Sequence, residues 1–395
     1  MKALLYERSV PKLAAARIAG ILKPGAGASR GPLHYDERAI EHRIPGPGWQ
    51  RVRPRLAGIC GSDLATIDAR TSRYFEPIVS FPFTPGHEVV GDLDDGTRVV
   101  VEPVLGCVSR NVVPVCRACA SGNLGRCEQI AYGSIAPGLQ SGFCCETGGG
   151  WSTHMVAHSS QVHRVPDSMS DEAAVMVEPT ACAVHAALSP GELQGSVVAI
   201  IGAGTLGLTT CAALAQYNRP EQLIVAAKHP EQRQLARSLG ATSVVEPSAL
   251  RRAVRSATKS MALGDGDVER LTGGADVVFD CVGSSASITD ALTMVRPGGR
   301  IVLVGMAGPT KLDLTPLWHR EIALVGAYAY GVENLLGRRT FDLAFELVSS
   351  LRLERLVTAH YPLARYEDAI AHAANAGVRG AVKIVFDLRT EKDRR

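Results

Sequence analysis

Two rhythms of apolar and polar positions divide the chain near Val197. Upstream, over residues 52–106, apolar residues come in short runs broken by Gly and Pro, such as Glu88-Val-Val-Gly91 and Thr97-Arg-Val-Val-Val-Glu102. That pattern predicts short strands. Residues 151–165 read the same way, and residues 171–185 read as helix. Residues 107–150 are rich in Cys and Gly with little periodicity, which predicts a lobe held by something other than an apolar core. Residues 7–50 are harder to read: 14–19 suit a short helix or strand, and 23–32 carry loop chemistry. Downstream, strand-like runs alternate with helix-spaced ones. Strands are expected at 197–201, 222–227, 276–280 and 300–305, with helices ending near Tyr217 and spanning 230–239 and 287–295. Such alternation predicts a parallel, doubly wound sheet with right-handed crossovers. From Tyr330 the pattern is mixed and ends in a strand at 382–386. The charged tail 389–395 is expected to fray.

The first downstream run organises the rest. Five apolar residues, Val197 to Ile201, precede Gly202-Ala-Gly204-Thr205-Leu206-Gly207 and a helix-like run. The glycines let the backbone turn tightly and approach a pyrophosphate, while the helix N-terminus offers N–H groups to the anion. The uncharged stretch 197–215 is also nearly long enough to span a bilayer. Its interior glycines and threonines, and the absence of a flanking basic cluster, favour strand, turn and helix instead.

Composition adds limits. A length of 395 residues suggests two domains, and 46% apolar content suffices for a full core. A net charge of +3 gives no electrostatic case for nucleic acid or a membrane surface as partner. The start, Met1-Lys-Ala-Leu-Leu-Tyr6, lacks the pattern of a secretory leader, so a cytoplasmic location is expected. The ten cysteines are then expected as thiols and metal ligands, not disulfides.

Two groups of residues carry candidate metal chemistry. Cys60, in Gly58-Ile-Cys-Gly-Ser-Asp63, and Gly86-His87-Glu88 together offer a thiolate, an imidazole and a carboxylate, a set suited to zinc with an open position. Glu178, in Val177-Glu-Pro-Thr180, is a further candidate. Taken singly, each also fits a buried small residue, a loop histidine or a helix-surface carboxylate. Cys116-Arg-Ala-Cys119, with Cys127 and Cys107, offers four thiolates for a closed, structural zinc site. A thioredoxin-like redox pair is the rival for the C-x-x-C, but its usual strand context is missing.

In their joint order these motifs, with Asp280-Cys281-Val282-Gly283, resemble the zinc-dependent medium-chain alcohol and polyol dehydrogenases, particularly the sorbitol- and threonine-dehydrogenase-like branch. The resemblance covers nearly the whole chain outside residues 7–50. It implies an α/β protein: a GroES-like, β-rich catalytic domain (1–186 and 330–395) around a Rossmann doubly wound domain (187–329). It places a catalytic zinc on Cys60 and His87, with Glu88 and Glu178 supplying the remaining position, one directly and one through water. It implies a small-molecule alcohol or carbonyl substrate and a homodimer or homotetramer. Three departures stand out. Val113 occupies the first position of the usual four-cysteine lobe, so Cys107 must reach in from six residues earlier, with Cys144 or Cys145 as alternatives and an empty lobe as the other reading. Ala65 replaces the histidine that hands a proton to solvent in liver-type enzymes, which leaves Ser62 as first proton acceptor. Residues 7–50 look like an insertion that lines or covers the active site.

The same alignment of motifs puts Ala227 where an NAD-binding unit carries an acidic residue for the adenosine 2′-hydroxyl. Without that carboxylate, and with Lys228, His229 and Arg233 nearby, NADP(H) is expected over NAD(H). Cys281 to Gly283 and Val304-Gly305 are expected to border the nicotinamide, and the two domains to form a cleft between it and the zinc. Lys383 is read as a phosphate contact or a solvated lysine, and Trp151, Phe81 and Phe83 as lying near the cleft. The expected reaction is hydride transfer between NADP(H) and a secondary alcohol or ketone, such as a polyol, sugar, cyclitol or amino alcohol. The alternatives are an NAD-dependent threonine- or sorbitol-type enzyme, a zinc-independent reductase on the same scaffold, and an inactive nucleotide-binding protein.

Overall fold

The computed structural model describes residues 1–266 and 269–391. The last four positions of the tail expected to fray lie outside them. Arg389, at its start, is held by Asp387 and by Glu172 at 3.1 Å. The chain forms two compact units. One holds residues 1–178, 330–332 and 348–395; the other holds 179–329 and 333–347.

The first unit is built on a mostly antiparallel sheet. Its strand order is Val357–Tyr361, Lys383–Asp387, Trp49–Gly58, Val89–Leu93, Arg98–Val101 and Val162–Arg164, with Met155–His158 pairing the start of Trp49–Gly58. The register brings distant positions together. Val385 pairs with Gly58, Ala57 pairs with Val89, and the Gly58 N–H donates to the Glu88 carbonyl at 2.8 Å. Residues from positions 58, 88 and 383 therefore meet at one end of the sheet. One core cluster gathers Trp151, Phe83, Phe143, Ile384 and Phe386. Trp151 and Phe83, with Phe81 packed against them, belong to this core: Trp151 is fully buried and its indole N–H donates to the Gly58 carbonyl at 3.1 Å.

Of residues 7–50, read as an insertion, 7–32 lie between paired strands Ala3–Tyr6 and Leu33–Asp36. Residues 14–19, read as a short helix or strand, belong to the longer helix Val10–Leu22, which Pro11 opens in the first turn where its missing N–H costs nothing. A second short helix, Gly27–Arg30, follows. The segment is pinned to the end of helix Gly61–Ile67 by Asp68. That carboxylate is fully buried and accepts the N–H groups of Gly25 and Gly27 at 2.9 and 3.1 Å. Gly20 and Gly27 sit so close that a Cβ on either would overlap Asp68 or the Ile67 carbonyl.

The second unit is a six-stranded parallel sheet in the order Ser243–Val245, Gln222–Ala226, Val197–Ile201, Ala275–Asp280, Val295–Leu303 and Ala323–Gly326. Residues of the central strands are buried on both faces, which is why they read as unbroken apolar runs. Strand order reverses at Val197–Ile201, whose successors lie on opposite sides of it. In open α/β sheets that switch point is where ligands sit, beyond the carboxyl ends of the strands. The expected helix at 171–185 divides into Asp171–Ala174 and Val177–Leu188, the first capped by the Ser170 hydroxyl, which accepts from Ala173 N–H. Among the described residues no helix is long and apolar enough to cross a membrane, and the stretch 197–215 is strand, turn and helix.

Candidate metal centres and nucleotide-binding turn

The chain turns out of strand Trp49–Gly58 into helix Gly61–Ile67, and Cys60 is the residue that caps that helix. Asp63 fixes the turn, its Oδ2 accepting the Cys60 N–H at 2.9 Å. His87 and Glu88 precede the neighbouring strand Val89–Leu93. Donor atoms of Cys60, His87 and Glu88 all lie within 4.8 Å of one another, and the two last residues are buried. The set fits a divalent, borderline-soft cation such as zinc. An independent sign is that the buried His87 Nδ1 and Asp63 Oδ1 have no hydrogen-bond partner, although they approach to 3.5 Å. A histidine that ligates a metal through one nitrogen commonly turns the other toward a carboxylate in this way. Burial pulls the His87 imidazole down, but Asp63 and Cys60 outweigh it and hold it well above its ordinary value. Asp63 was visible in the sequence as part of the motif, but nothing there assigned it to His87.

Lys383 is the larger surprise. It is neither a phosphate contact nor solvated. Its Nζ is buried and donates to Glu88 Oε1 and Oε2 at 2.7 and 2.5 Å and to the Ile59 carbonyl at 3.3 Å. Gly58 is what makes room, since a Cβ there would overlap Glu88 Oε2. Glu178 does not join the cluster at 4.8 Å. It is buried nearby and accepts the Tyr330 hydroxyl at 3.1 Å. Burial, with the Glu88 charge adding to it, pushes its carboxyl up to about 7 against the pull of His87. Ser62 is half-buried in the first turn of helix Gly61–Ile67.

In the cysteine lobe the sulfurs of Cys107, Cys116, Cys119 and Cys127 lie within 4.8 Å of one another. Cys107 does reach in, and Cys144 and Cys145 stay out of the group. Every sulfur accepts a backbone N–H: Cys107 from Cys116 at 3.3 Å, Cys116 from Cys119 and Glu128 at 3.5 and 3.4 Å, Cys119 from Cys107 at 3.5 Å, and Cys127 from Gln129 at 3.4 Å. Donors aimed at sulfur favour thiolates, which are the metal-binding form. Burial raises the Cys116, Cys119 and Cys127 thiols, yet the N–H groups carry Cys116 down to about 7 while Cys127 is pushed up to about 11 and Cys119 further. Like charges so close do not ionise together without a cation between them. The donor set therefore fits a closed zinc site.

In the second unit Gly202 takes φ +93°, and a Cβ on Gly207 would overlap the Gly202 carbonyl. Gly204 caps helix Thr205–Ala213 with open space where a Cβ would be. The turn has the close-approach geometry expected of a pyrophosphate site, with Thr205 and Leu206 opening the helix. Ala227 is fully buried just past strand Gln222–Ala226 and donates to the Val245 carbonyl at 2.9 Å. Lys228 is exposed and His229 half-buried. Arg233 lies against the same strand end, donating to the Lys228 carbonyl at 3.0 Å and to Glu246 at 3.4 Å. Cys281, Val282 and Gly283 leave strand Ala275–Asp280 in a turn organised by Asp280. Its Oδ1 accepts the Val282 and Gly283 N–H groups at 2.9 and 3.1 Å, and its backbone carbonyl accepts those of Val304 and Gly305 at 2.9 Å each. The fully buried Asp280 thus holds both loops together, a role its place in the sequence did not reveal.

Comparison with known proteins agrees with this picture. Residues 46–167 match the alcohol dehydrogenase GroES-like domain, and residues 205–350 match the zinc-binding dehydrogenase family. The chain is 28% identical over 360 residues to L-idonate 5-dehydrogenase of Vitis vinifera, covering 87% of this chain and 89% of that one. It is 27% identical over 356 residues to sorbitol dehydrogenase of Arabidopsis thaliana, with the same coverage. In fold it matches a crystal structure of an Escherichia coli oxidoreductase of unknown specificity, with a TM-score of 0.73 at 22% identity, covering 98% of this chain and 99% of that one. The chain belongs to the zinc-dependent medium-chain alcohol and polyol dehydrogenases, oxidoreductases that act on CH–OH groups with a nicotinamide dinucleotide.

Proposed function

We propose that this enzyme interconverts a polar secondary alcohol and its ketone, of the polyol, sugar, sugar-acid, cyclitol or amino-alcohol class, with NADP(H) preferred. The observation that carries the reading is the gathering of Cys60, His87 and Glu88 donors in a buried site. The relatives' names, idonate and sorbitol dehydrogenase, support the substrate class. In this reading Cys60, His87 and one carboxylate, Glu88 or Glu178, hold the catalytic zinc, and Cys107, Cys116, Cys119 and Cys127 hold a structural one. Residues 1–178 and the returning C-terminal segments serve as catalytic domain, and the parallel sheet as dinucleotide domain. A homodimer or homotetramer is the expected assembly.

When bound, zinc supplies the Lewis acidity that brings an alcohol proton within reach of neutral pH, and the nicotinamide accepts the hydride. The chain's own part is positional and electrostatic. Asp63 orients the His87 ring. Lys383 binds both Glu88 oxygens and holds the carboxylate turned toward Gly58. Ser62 Oγ takes the substrate hydroxyl proton and passes it toward solvent. Gly202, Gly204 and Gly207 admit the pyrophosphate, while Asp280 shapes the loops of Cys281 to Gly283 and Val304-Gly305 that border the nicotinamide.

The cofactor preference rests on Ala227, which offers no acceptor for a ribose 2′-hydroxyl and no repulsion to a 2′-phosphate. One observation favours NAD(H) instead: Arg233 is already paired with Glu246, which leaves Lys228 and His229 to meet the phosphate. A screen of polyols, sugar acids and amino alcohols with both dinucleotides separates the readings. A kcat/KM favouring NAD(H) overturns the NADP(H) preference, and activity confined to apolar alcohols overturns the substrate class.

A further inference from the structure

Arg110 lies in the cysteine lobe and is fully buried. Its guanidinium donates only to backbone carbonyls: Nε to Leu105 at 3.0 Å, Nη1 to Tyr132, Ile135 and Ala136 at 3.2–3.3 Å, and Nη2 to Gly138 at 2.5 Å. No carboxylate and no sulfur accepts from it among the described residues. Carbonyls satisfy its donors but carry no charge to offset its own, and an isolated buried charge costs several kcal/mol, on the order of that for any desolvated ion. Among the described residues of the lobe, the buried candidates for countercharge are sulfurs. Arg110 sits three residues after Cys107 and its Nε bonds the carbonyl of Leu105, two residues before that cysteine, while the Glu146 carboxylate is exposed and accepts the Ala136 N–H. Cys144 is a buried thiol that burial pushes up and that gives its hydrogen to the Ala136 carbonyl at 3.5 Å, so it stays neutral. Cys107 and Cys127 belong to the four-sulfur group.

A divalent ion on four thiolates is itself a dianion. From this we infer that Arg110 is the charge partner of the loaded cysteine lobe: its fixed positive charge stabilises the metal–tetrathiolate group, and that group in turn neutralises Arg110. The inference rests on reading the four cysteines as a zinc site. It adds that retention of that zinc depends on a buried cation which also ties together the loop carbonyls at 132–138. Metal loading and folding of that loop then form one event, because the emptied lobe leaves a cation without countercharge in the interior.

The test uses the full chain in a Cys60→Ser background, so that the zinc counted is that of the lobe. Zinc per subunit is measured by elemental analysis, and release to a chelating dye is followed over time and against falling pH. One zinc per subunit is expected. Arg110→Gln removes the charge and keeps two of the five N–H donors. It is expected to weaken retention about 10- to 100-fold, the range for loss of a residue that supports metal ligands, and to move acid-driven release to higher pH. Arg110→Lys keeps the charge but loses the planar fork, and is expected to stay near the parent in both readouts. If Arg110→Gln releases zinc at the parent rate, the inference is overturned and the zinc reading stands. If the parent carries no lobe zinc, the zinc reading itself falls and the inference with it. Should Arg110→Gln fail to fold, Arg110→Lys decides: parent-like release supports the role of charge, and tenfold faster release overturns it.

Discussion

Lys383 and Glu88 invite a quantitative test. Their side chains are 2% and 1% exposed, and both carboxylate oxygens face one ammonium at 2.7 and 2.5 Å. Lys383→Met preserves most of the apolar stem and deletes the charge. Removing one partner of a buried pair strands the other, and the cost is about 3–5 kcal/mol. At about 2–4 °C per kcal/mol for a unit of this size, the metal-free variant should melt about 6–20 °C below the metal-free parent. The loaded protein should behave differently. If the proposed zinc takes Glu88 as its carboxylate ligand, it would supply the positive charge that the lysine supplied, so the loss should fall to less than half. The rise in melting temperature on adding zinc should accordingly be larger for the variant than for the parent. Differential scanning calorimetry on chelator-treated and reloaded protein measures all four values. A metal-free variant within about 1 kcal/mol of the parent would refute the reasoning, as would equal losses with and without zinc. Lys383→Arg, which keeps the charge, should recover most of the stability.

The geometry sets three further outcomes. Ala227→Asp places a carboxylate at the strand end, and gaining one charge-assisted hydrogen bond of about 1.5–3 kcal/mol to the ribose should shift the NADP/NAD ratio of kcat/KM about 10- to 100-fold toward NAD; an unchanged ratio would show that this position does not face the ribose. Gly207→Ala forces a Cβ onto the Gly202 carbonyl, so dinucleotide binding measured by fluorescence titration should be lost while zinc content is retained. Asp63→Ala removes the carboxylate beside His87 Nδ1 and should weaken binding of the catalytic zinc about 10- to 100-fold, read by competition with a chelator; zinc binding equal to the parent would argue that His87 is oriented by something else.

The parallel sheet was legible because its information is local. Buried strands such as Val197–Ile201 are unbroken apolar runs, and the turn after them needs glycines at fixed offsets. The four-cysteine group was legible for the same reason, and Cys107 could be preferred because it lies on the same stretch of chain. What escaped was set by pairing across long separations. Lys383 looks like one more charge near the C-terminus until the sheet register sets its strand beside Gly58. The burial of Trp151 and Phe83 in one core cluster likewise follows from pairings between distant segments. Asp63, Asp68 and Asp280 are all carboxylates that accept backbone N–H groups, and backbone donors leave no residue-type signature in a sequence.

Asp68 also bears on how this enzyme can change over time. Two of the N–H groups that satisfy its buried carboxylate come from the insertion itself, at Gly25 and Gly27. Trimming the insertion would therefore do more than shorten a surface segment. It would take two backbone donors from a buried carboxylate at the far end of the same helix that Cys60 caps, leaving Arg70 at 3.5 Å as its partner. Loss of the segment favours a change at residue 68, and a change at residue 68 loosens the segment. The insertion and the helix beneath it are thus bound to one another as a single heritable unit.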